Sequence, residues 1–133
     1  MPQQYTHLLP KEIEIWERFL ARYGRQFVSF DYDVHLGPGA PIPADTPDWM
    51  VRQIEAVSRD RVDVVAHTAS DIVIIEIKPR GGKGAVGQLL QYERLYIQET
   101  QPTRPVRKAL VCERLAPGVE DTCRELGITI YIV

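Results

Sequence analysis

Several common signatures are missing from this chain of 133 residues. It has only two cysteines, Cys112 and Cys123, without the paired short spacing of a zinc site, and they read as two small apolar thiols of an intracellular protein. Its histidines, His7, His35 and His67, are scattered without ligand-like spacing. No apolar run approaches the ~20 residues of a membrane-spanning helix. The opening "MPQQYTHLLPKEIEIWERFL" shows no basic stretch followed by an apolar core, so no secretory leader is expected. A net charge of −2 argues against a general polyanion-coating protein, although it leaves room for nucleic acid held at a local basic face. There is neither an internal repeat nor a low-complexity tail.

What remains, 44% hydrophobic and 26% charged, is ordinary for one globular domain, expected over residues 1–133. Leu9, Ile13, Trp16, Leu20 and Tyr23 recur at helical spacing and predict a helix over 9–23, ended by Gly24. Residues 25–37 alternate and are rich in β-branched and aromatic side chains, which predicts a strand. The proline-rich 38–47 reads as a loop and 48–58 as a helix. Two short strands, 61–67 and 71–78, form a hairpin around "TAS". A loop over 78–84 leads to a helix over 85–100, a strand over 106–112, a short helix from Pro117 to Leu126 and a last strand, "ITIYIV". The order α-β-α-β-β-α-β-α-β predicts an α/β fold, a mixed sheet of four to five strands with helices on both faces. Trp16 and Trp49 fall on apolar helix faces and are expected in the core.

The chemistry concentrates around "RVDVVAHTASDIVIIEIKPRGGKG", residues 61–84. Its glycines and lysine invite a phosphate-loop reading, but "GGKGAVGQ" lacks G-x-x-x-x-G-K-[ST], since Gly84 follows Lys83 where Ser or Thr is required. The run before them is more informative. Ile72, Ile74, Glu76 and Lys78 share one strand face, and Val73, Ile75 and Ile77 the other. A strand apolar on both faces is central, so a carboxylate and an ammonium there are costly unless paired or bound. Asp63 interrupts "VDVVA" on the partner strand, and a hairpin brings positions near 63 and 76 into neighbouring rows. Two adjacent carboxylates repel unless a cation neutralises them, and oxygen ligands suit a hard divalent ion. A salt bridge of Lys78 with either carboxylate at the sheet rim is the competing reading.

Asp63, a gap of twelve, then Glu76-Ile77-Lys78 resembles the split motif of the PD-(D/E)XK nuclease superfamily, with Val62 in place of the proline of its name. Gln88-x-x-x-Tyr92 on the next helix is similar to the signature of its RecB-type members. The element order matches the family core too, with 47–58 as an insertion. The resemblance implies a restriction-endonuclease-like fold and a nuclease that hydrolyses DNA phosphodiesters. It implies Mg²⁺, with Mn²⁺ as substitute, on Asp63, Glu76 and the Ile77 carbonyl, with Lys78 a charged group that orients water and stabilises the phosphate. Gln88 would orient the lysine, the water or a phosphate, and Tyr92 would contact DNA or pack. An acidic residue from the first helix often joins the site; Glu12 is the candidate and Glu17 the reserve, Glu14 pointing away.

Arg80 and Lys83 are read as phosphate contacts, the glycines beside them allowing close backbone approach. Arg104, Arg107 and Lys108 would extend this basic rim. With no separate recognition module, specificity would come from DNA shape, DNA ends or a partner protein, and family analogy suggests a homo-oligomer. RNA is the weaker substrate, since no aromatic stacking platform is visible. The alternative is a catalytically silent copy of the fold, a structural or binding module in a viral particle or nucleoprotein assembly.

Overall fold

The computed structural model describes residues 5–133, with all side chains there except those of residues 56 and 57; residues 1–4 of the expected single domain lie outside the described residues. Helix α1 (Pro10–Tyr23) is followed by a 3-10 turn (Gly24–Gln26), strand β1 (Ser29–Leu36), helix α2 (Asp48–Ser58) and strands β2 (Asp60–His67) and β3 (Ile72–Gly81). Helix α3 (Lys83–Thr100), strand β4 (Val106–Leu115), helix α4 (Val119–Glu125) and strand β5 (Ile128–Ile132) complete it. The five strands form one sheet in chain order. β1, β2 and β3 pair antiparallel, and β3, β4 and β5 pair parallel, so the sheet is mixed.

Both faces of the sheet are covered. On one side Ile15, Trp16 and Phe19 of α1 pack on Val64, Val73, Ile75, Ile77 and Val111. On the other, Ala85, Leu89, Tyr92 and Tyr96 of α3 and Cys123 of α4 pack on Val65, Ile72, Ile74, Leu110 and Cys112. The apolar runs Ile72–Ile75 of β3 and Ala109–Cys112 of β4 are thereby sandwiched, which is why neither run has a polar face. Trp16 is wholly buried and donates its indole N–H to Tyr32 Oη at 3.1 Å, so the polar atom of the core aromatic is satisfied.

Several boundaries and burials differ from the sequence reading. Leu9 is exposed at the N-cap, and the buried stripe of α1 centres on Ile15, Trp16 and Phe19. Trp49 is 54% exposed, because α2 stands as an excursion between β1 and β2 with no buried side chain among its described residues. The expected loop over 78–84 is largely strand: β3 runs to Gly81 beside β4, and α3 begins at Lys83. Pro79 is tolerated because the β2–β3 ladder ends at Val64–Ile75, leaving that flank of β3 without a strand partner.

Gly81 has a packing reason. A Cβ there would lie 2.8 Å from Leu110 Cδ2, 3.1 Å from Leu115 Cδ2 and 3.3 Å from Cys112 Sγ. Gly81→Ala is therefore expected to destabilise the fold by about 1–2 kcal/mol through overpacking, read as a lower urea midpoint at unchanged slope. Among the described residues no helix is long and apolar enough to cross a membrane.

Candidate active site

The site lies where the sheet forks. β2 and β3 pair from His67–Ile72 to Val64–Ile75 and then part. At the first unpaired step the Asp63 side chain replaces the ladder, its Oδ2 accepting a hydrogen bond from Ile77 N–H at 3.0 Å. Glu76, one residue before, shares the α3-facing side of β3 with Ile72 and Ile74. It is only 2% exposed, and its Oε1 is buried with no hydrogen-bond partner. Lys78 Nζ approaches Glu76 Oε2 to 3.8 Å, an ion contact too long for a hydrogen bond.

The electrostatics follow from this packing. Burial, and then the charge of Asp63, pushes the Glu76 carboxyl up to about 8, with Lys78 pulling the other way. Asp63 is also raised, by burial first, while the Ile77 N–H lowers it and the charge of Glu12 adds to the rise. Lys78 therefore only partly offsets the cost of placing two carboxylates in a low-dielectric fork. An unpartnered carboxylate oxygen facing a second carboxylate is the arrangement a hard divalent cation satisfies. Among the described residues no three His, Cys, Asp or Glu side chains stand close enough to hold an ion by themselves. Asp63 and Glu76 are thus the two carboxylates that could hold one, with water completing the shell.

Glu12 reaches the fork as a charge, raising both Asp63 and Glu76, while its Oε1 caps its own helix by accepting from Leu9 N–H at 3.0 Å. The reserve, Glu17, is exposed and accepts from Tyr5 Oη at 3.4 Å. Gln88 and Tyr92 lie on the α3 face turned to the sheet, with Gln88 Nε2 donating to Tyr92 Oη at 3.3 Å. Tyr92 is buried in the core, so a DNA contact there is replaced by a packing position; burial and then the nearby Glu76 charge raise its hydroxyl.

Arg80, on the far side of Pro79 from Lys78, and Lys83, at the start of α3, are exposed and line a cleft of about 430 Å³ with Gly82, Gly84, Ala116 and Pro117. The rest of the expected basic rim is not there. Lys108 is buried and paired with Glu93 at 2.8 Å, Arg107 pairs with Asp71 at 3.2 Å, and Arg104 donates to the Thr68 carbonyl at 2.8 Å. These three serve the opposite end of the sheet, at the start of β4, where each has a local partner.

Two contacts at the fork escaped the sequence reading. His7, ahead of α1, donates through Nε2 to the Asp63 carbonyl at 3.0 Å. Arg61 donates to Asp33 Oδ1 at 2.8 Å through Nε and stands equally close through Nη2. Spacing gave no signal for His7, whose neighbour is 56 positions away. Asp33 was hidden because "FDYDVHL" reads as a regular strand with one solvated face.

No family model matches the chain, and neither does any curated protein. Solved structures do. A repair endonuclease from Pyrococcus abyssi superposes with a TM-score of 0.58 at 19% identity, covering 95% of this chain and 48% of that one. EndoMS, in its dsDNA2 complex, superposes with a TM-score of 0.55 at 18% identity, covering 99% of this chain and 48% of that one. The chain thus spans about half the length of each neighbour. The likeness is one of fold: the five-stranded mixed sheet with its flanking helices is a restriction-endonuclease-like core.

Proposed function

We propose that this domain is a metal-dependent nuclease acting on DNA, with Asp63, Glu76 and Lys78 at its centre. The observation that carries this reading is the buried, unpartnered Glu76 Oε1 beside Asp63 at the fork of the sheet. A fold made only for stability would place an apolar residue there, since an unsatisfied buried carboxylate oxygen costs about 1–3 kcal/mol or more. Mg²⁺, or Mn²⁺ in its place, would be held by Asp63, Glu76 and the Ile77 carbonyl. When bound it supplies Lewis-acid polarisation of a phosphoryl oxygen and a more acidic water.

The chain's own groups divide the remaining work. Lys78, its side chain 35% exposed at the mouth of the fork, holds a positive charge where the phosphate gains negative charge in the transition state. Ile77 N–H fixes one Asp63 oxygen, leaving the other free to ligate. Glu12 adds negative charge that strengthens cation binding. Gln88 and Tyr92 form a RecB-type pair, in which the buried hydroxyl of Tyr92 orients the Gln88 amide on the α3 face beside Glu76. Arg80 and Lys83 contact the backbone phosphates beyond the scissile one. Gly82 and Gly84 have open space where a Cβ would be, so nothing in the fold requires glycine there; bare backbone beside two cations suits close approach of a phosphodiester chain.

The EndoMS complex with double-stranded DNA supports DNA as the substrate, and the repair endonuclease supports phosphodiester hydrolysis. Specificity would come from DNA shape, ends or a protein partner, and family analogy suggests action as a homo-oligomer. The test is incubation of purified protein with supercoiled, linear and single-stranded DNA in Mg²⁺, Mn²⁺ or EDTA, with Glu76→Ala purified identically. Metal-dependent cleavage by wild type alone is expected. Absence of cleavage together with absence of metal and DNA binding would overturn the reading and leave the domain a structural module.

A further inference from the structure

The row of the sheet that carries Asp63 is irregular in both β1 and β2. β1 and β2 pair continuously from Ser29–His67 to Tyr32–Val64 and again from Val34–Val62 to Leu36–Asp60, and the pair skipped is Asp33 with Asp63. Asp33 has φ of +55°, in the left-handed region that a non-glycine residue rarely occupies. Each strand also changes face at this row. In β1, Phe30 and Tyr32 pack on the α1 side, whereas Val34 and Leu36 pack on the α3 side. In β2, Val64 and Ala66 face α1, whereas Val62 joins Val65 on the α3 side. A regular strand keeps residues two apart on one face, so the backbone is twisted over at Asp33 and at Asp63 together.

The pivot decides where the Asp63 carboxylate goes. In an unbroken strand its side chain would stand perpendicular to the sheet, away from the amides of β3. At the pivot it turns into the fork instead and takes the Ile77 N–H. The companion pivot on β1 is held from outside: the Arg61 guanidinium meets Asp33 Oδ1 at 2.8 Å through both Nε and Nη2, and His35 Nε2 stands 3.5 Å from the same oxygen. Asp suits this position twice over, because it tolerates the left-handed conformation better than most residues and its carboxylate pairs with Arg61.

We infer that Asp33 is a positioning residue for the active site: its left-handed backbone, clamped by Arg61, turns Asp63 out of the β2 ladder and onto Ile77 N–H. This rests on the metal site proposed above for its functional consequence, but its geometric content stands by itself. The position needs the conformation first and the carboxylate second. Tolerance should therefore follow ease of positive φ, with glycine and asparagine accepted, alanine poor and β-branched valine worst.

Amide hydrogen exchange in metal-free protein reads the geometry directly, with Ile75 N–H in the paired part of β3 as internal reference. Asp33→Gly and Asp33→Asn are expected to keep Ile77 as protected as in wild type. Asp33→Ala is expected to speed Ile77 exchange about tenfold relative to Ile75, and Asp33→Val further. If valine prevents folding, the glycine–alanine comparison decides alone. Equal Ile77 protection in the glycine and alanine variants, or equal acceleration of Ile75 and Ile77, would overturn the inference. A Mn²⁺ titration followed by thermal melting separates the two claims. The same order of Mn²⁺-induced stabilisation supports both. Ile77 protection in the expected order with no Mn²⁺ response even in wild type would keep the positioning role and sink the metal site.

Discussion

In metal-free protein at pH 9, Glu76→Gln is expected to melt higher than wild type. The Glu76 carboxyl titrates near 8 in the folded chain, against an ordinary value of 4.5, because burial and the Asp63 charge penalise its ionised form. The folded state therefore binds a proton that the unfolded state has released. The stability this gives is full below the unfolded value and is lost as pH rises through the folded one. Wild type should weaken from pH 5 to pH 9 and then level off. Glutamine has nearly the same shape and no charge, so that slope should largely vanish. A shift of several units corresponds to a few kcal/mol, and water entering the fork reduces it; a gain on the order of 5–10 °C at pH 9 is expected. Mn²⁺ should reverse the ranking. A cation on the two carboxylates stabilises wild type and has little to hold in the variant. Melting curves at pH 5, 7 and 9, with EDTA or Mn²⁺, read both effects. A variant that melts below wild type at pH 9 in EDTA would show that the buried charge is compensated by the protein itself.

The fold was legible because its two strongest signals are local. The continuous apolar run of β3 announced a strand buried on both faces, and the spacing of Ile13, Trp16 and Leu20 announced α1. The endpoints were less legible because they depend on neighbours. Pro79 argued for a loop by its missing N–H, yet β3 continues past it since β2 has already left that flank. Trp49 looked like core because an apolar residue on an amphipathic helix usually is, but α2 packs on little. In the candidate site, Asp63, Glu76 and Lys78 were visible as charges where an apolar strand should have none, and the structure brings them together. Arg104, Arg107 and Lys108 misled because charge along a sequence says nothing of the acidic partner across a fold; Glu93 and Asp71 claim two of them. His7 and Asp33 were unreadable for a related reason: one acts through a contact made only in the folded chain, the other through a backbone angle.

Lys78 and Asp63 should separate binding from chemistry. Both lie at the fork, but in the proposed mechanism only Asp63 would offer oxygen to a cation, whereas Lys78 would offer charge to a phosphate. Asp63→Ala leaves Ile77 N–H without its acceptor and Glu76 without the second carboxylate, so it should lose both cleavage and Mn²⁺ stabilisation. In wild type that stabilisation is expected to reach about 2.7 kcal/mol at 100 times the Kd, or roughly 10 °C for a chain of this size. Lys78→Ala removes the cation 3.8 Å from Glu76, and the carboxylate pair becomes more electronegative. Its Mn²⁺ affinity should hold or rise, while cleavage falls by about 100-fold or more, the scale of one lost charge contact in a transition state. Lys78→Arg keeps the charge but on a broader, planar group, and should recover only part of the rate. Thermal melts with graded Mn²⁺ and single-turnover cleavage of one DNA duplex give the two readouts on the same preparations. If Lys78→Ala loses Mn²⁺ stabilisation as completely as Asp63→Ala, then Lys78 holds the carboxylates in place and has no part of its own in the reaction.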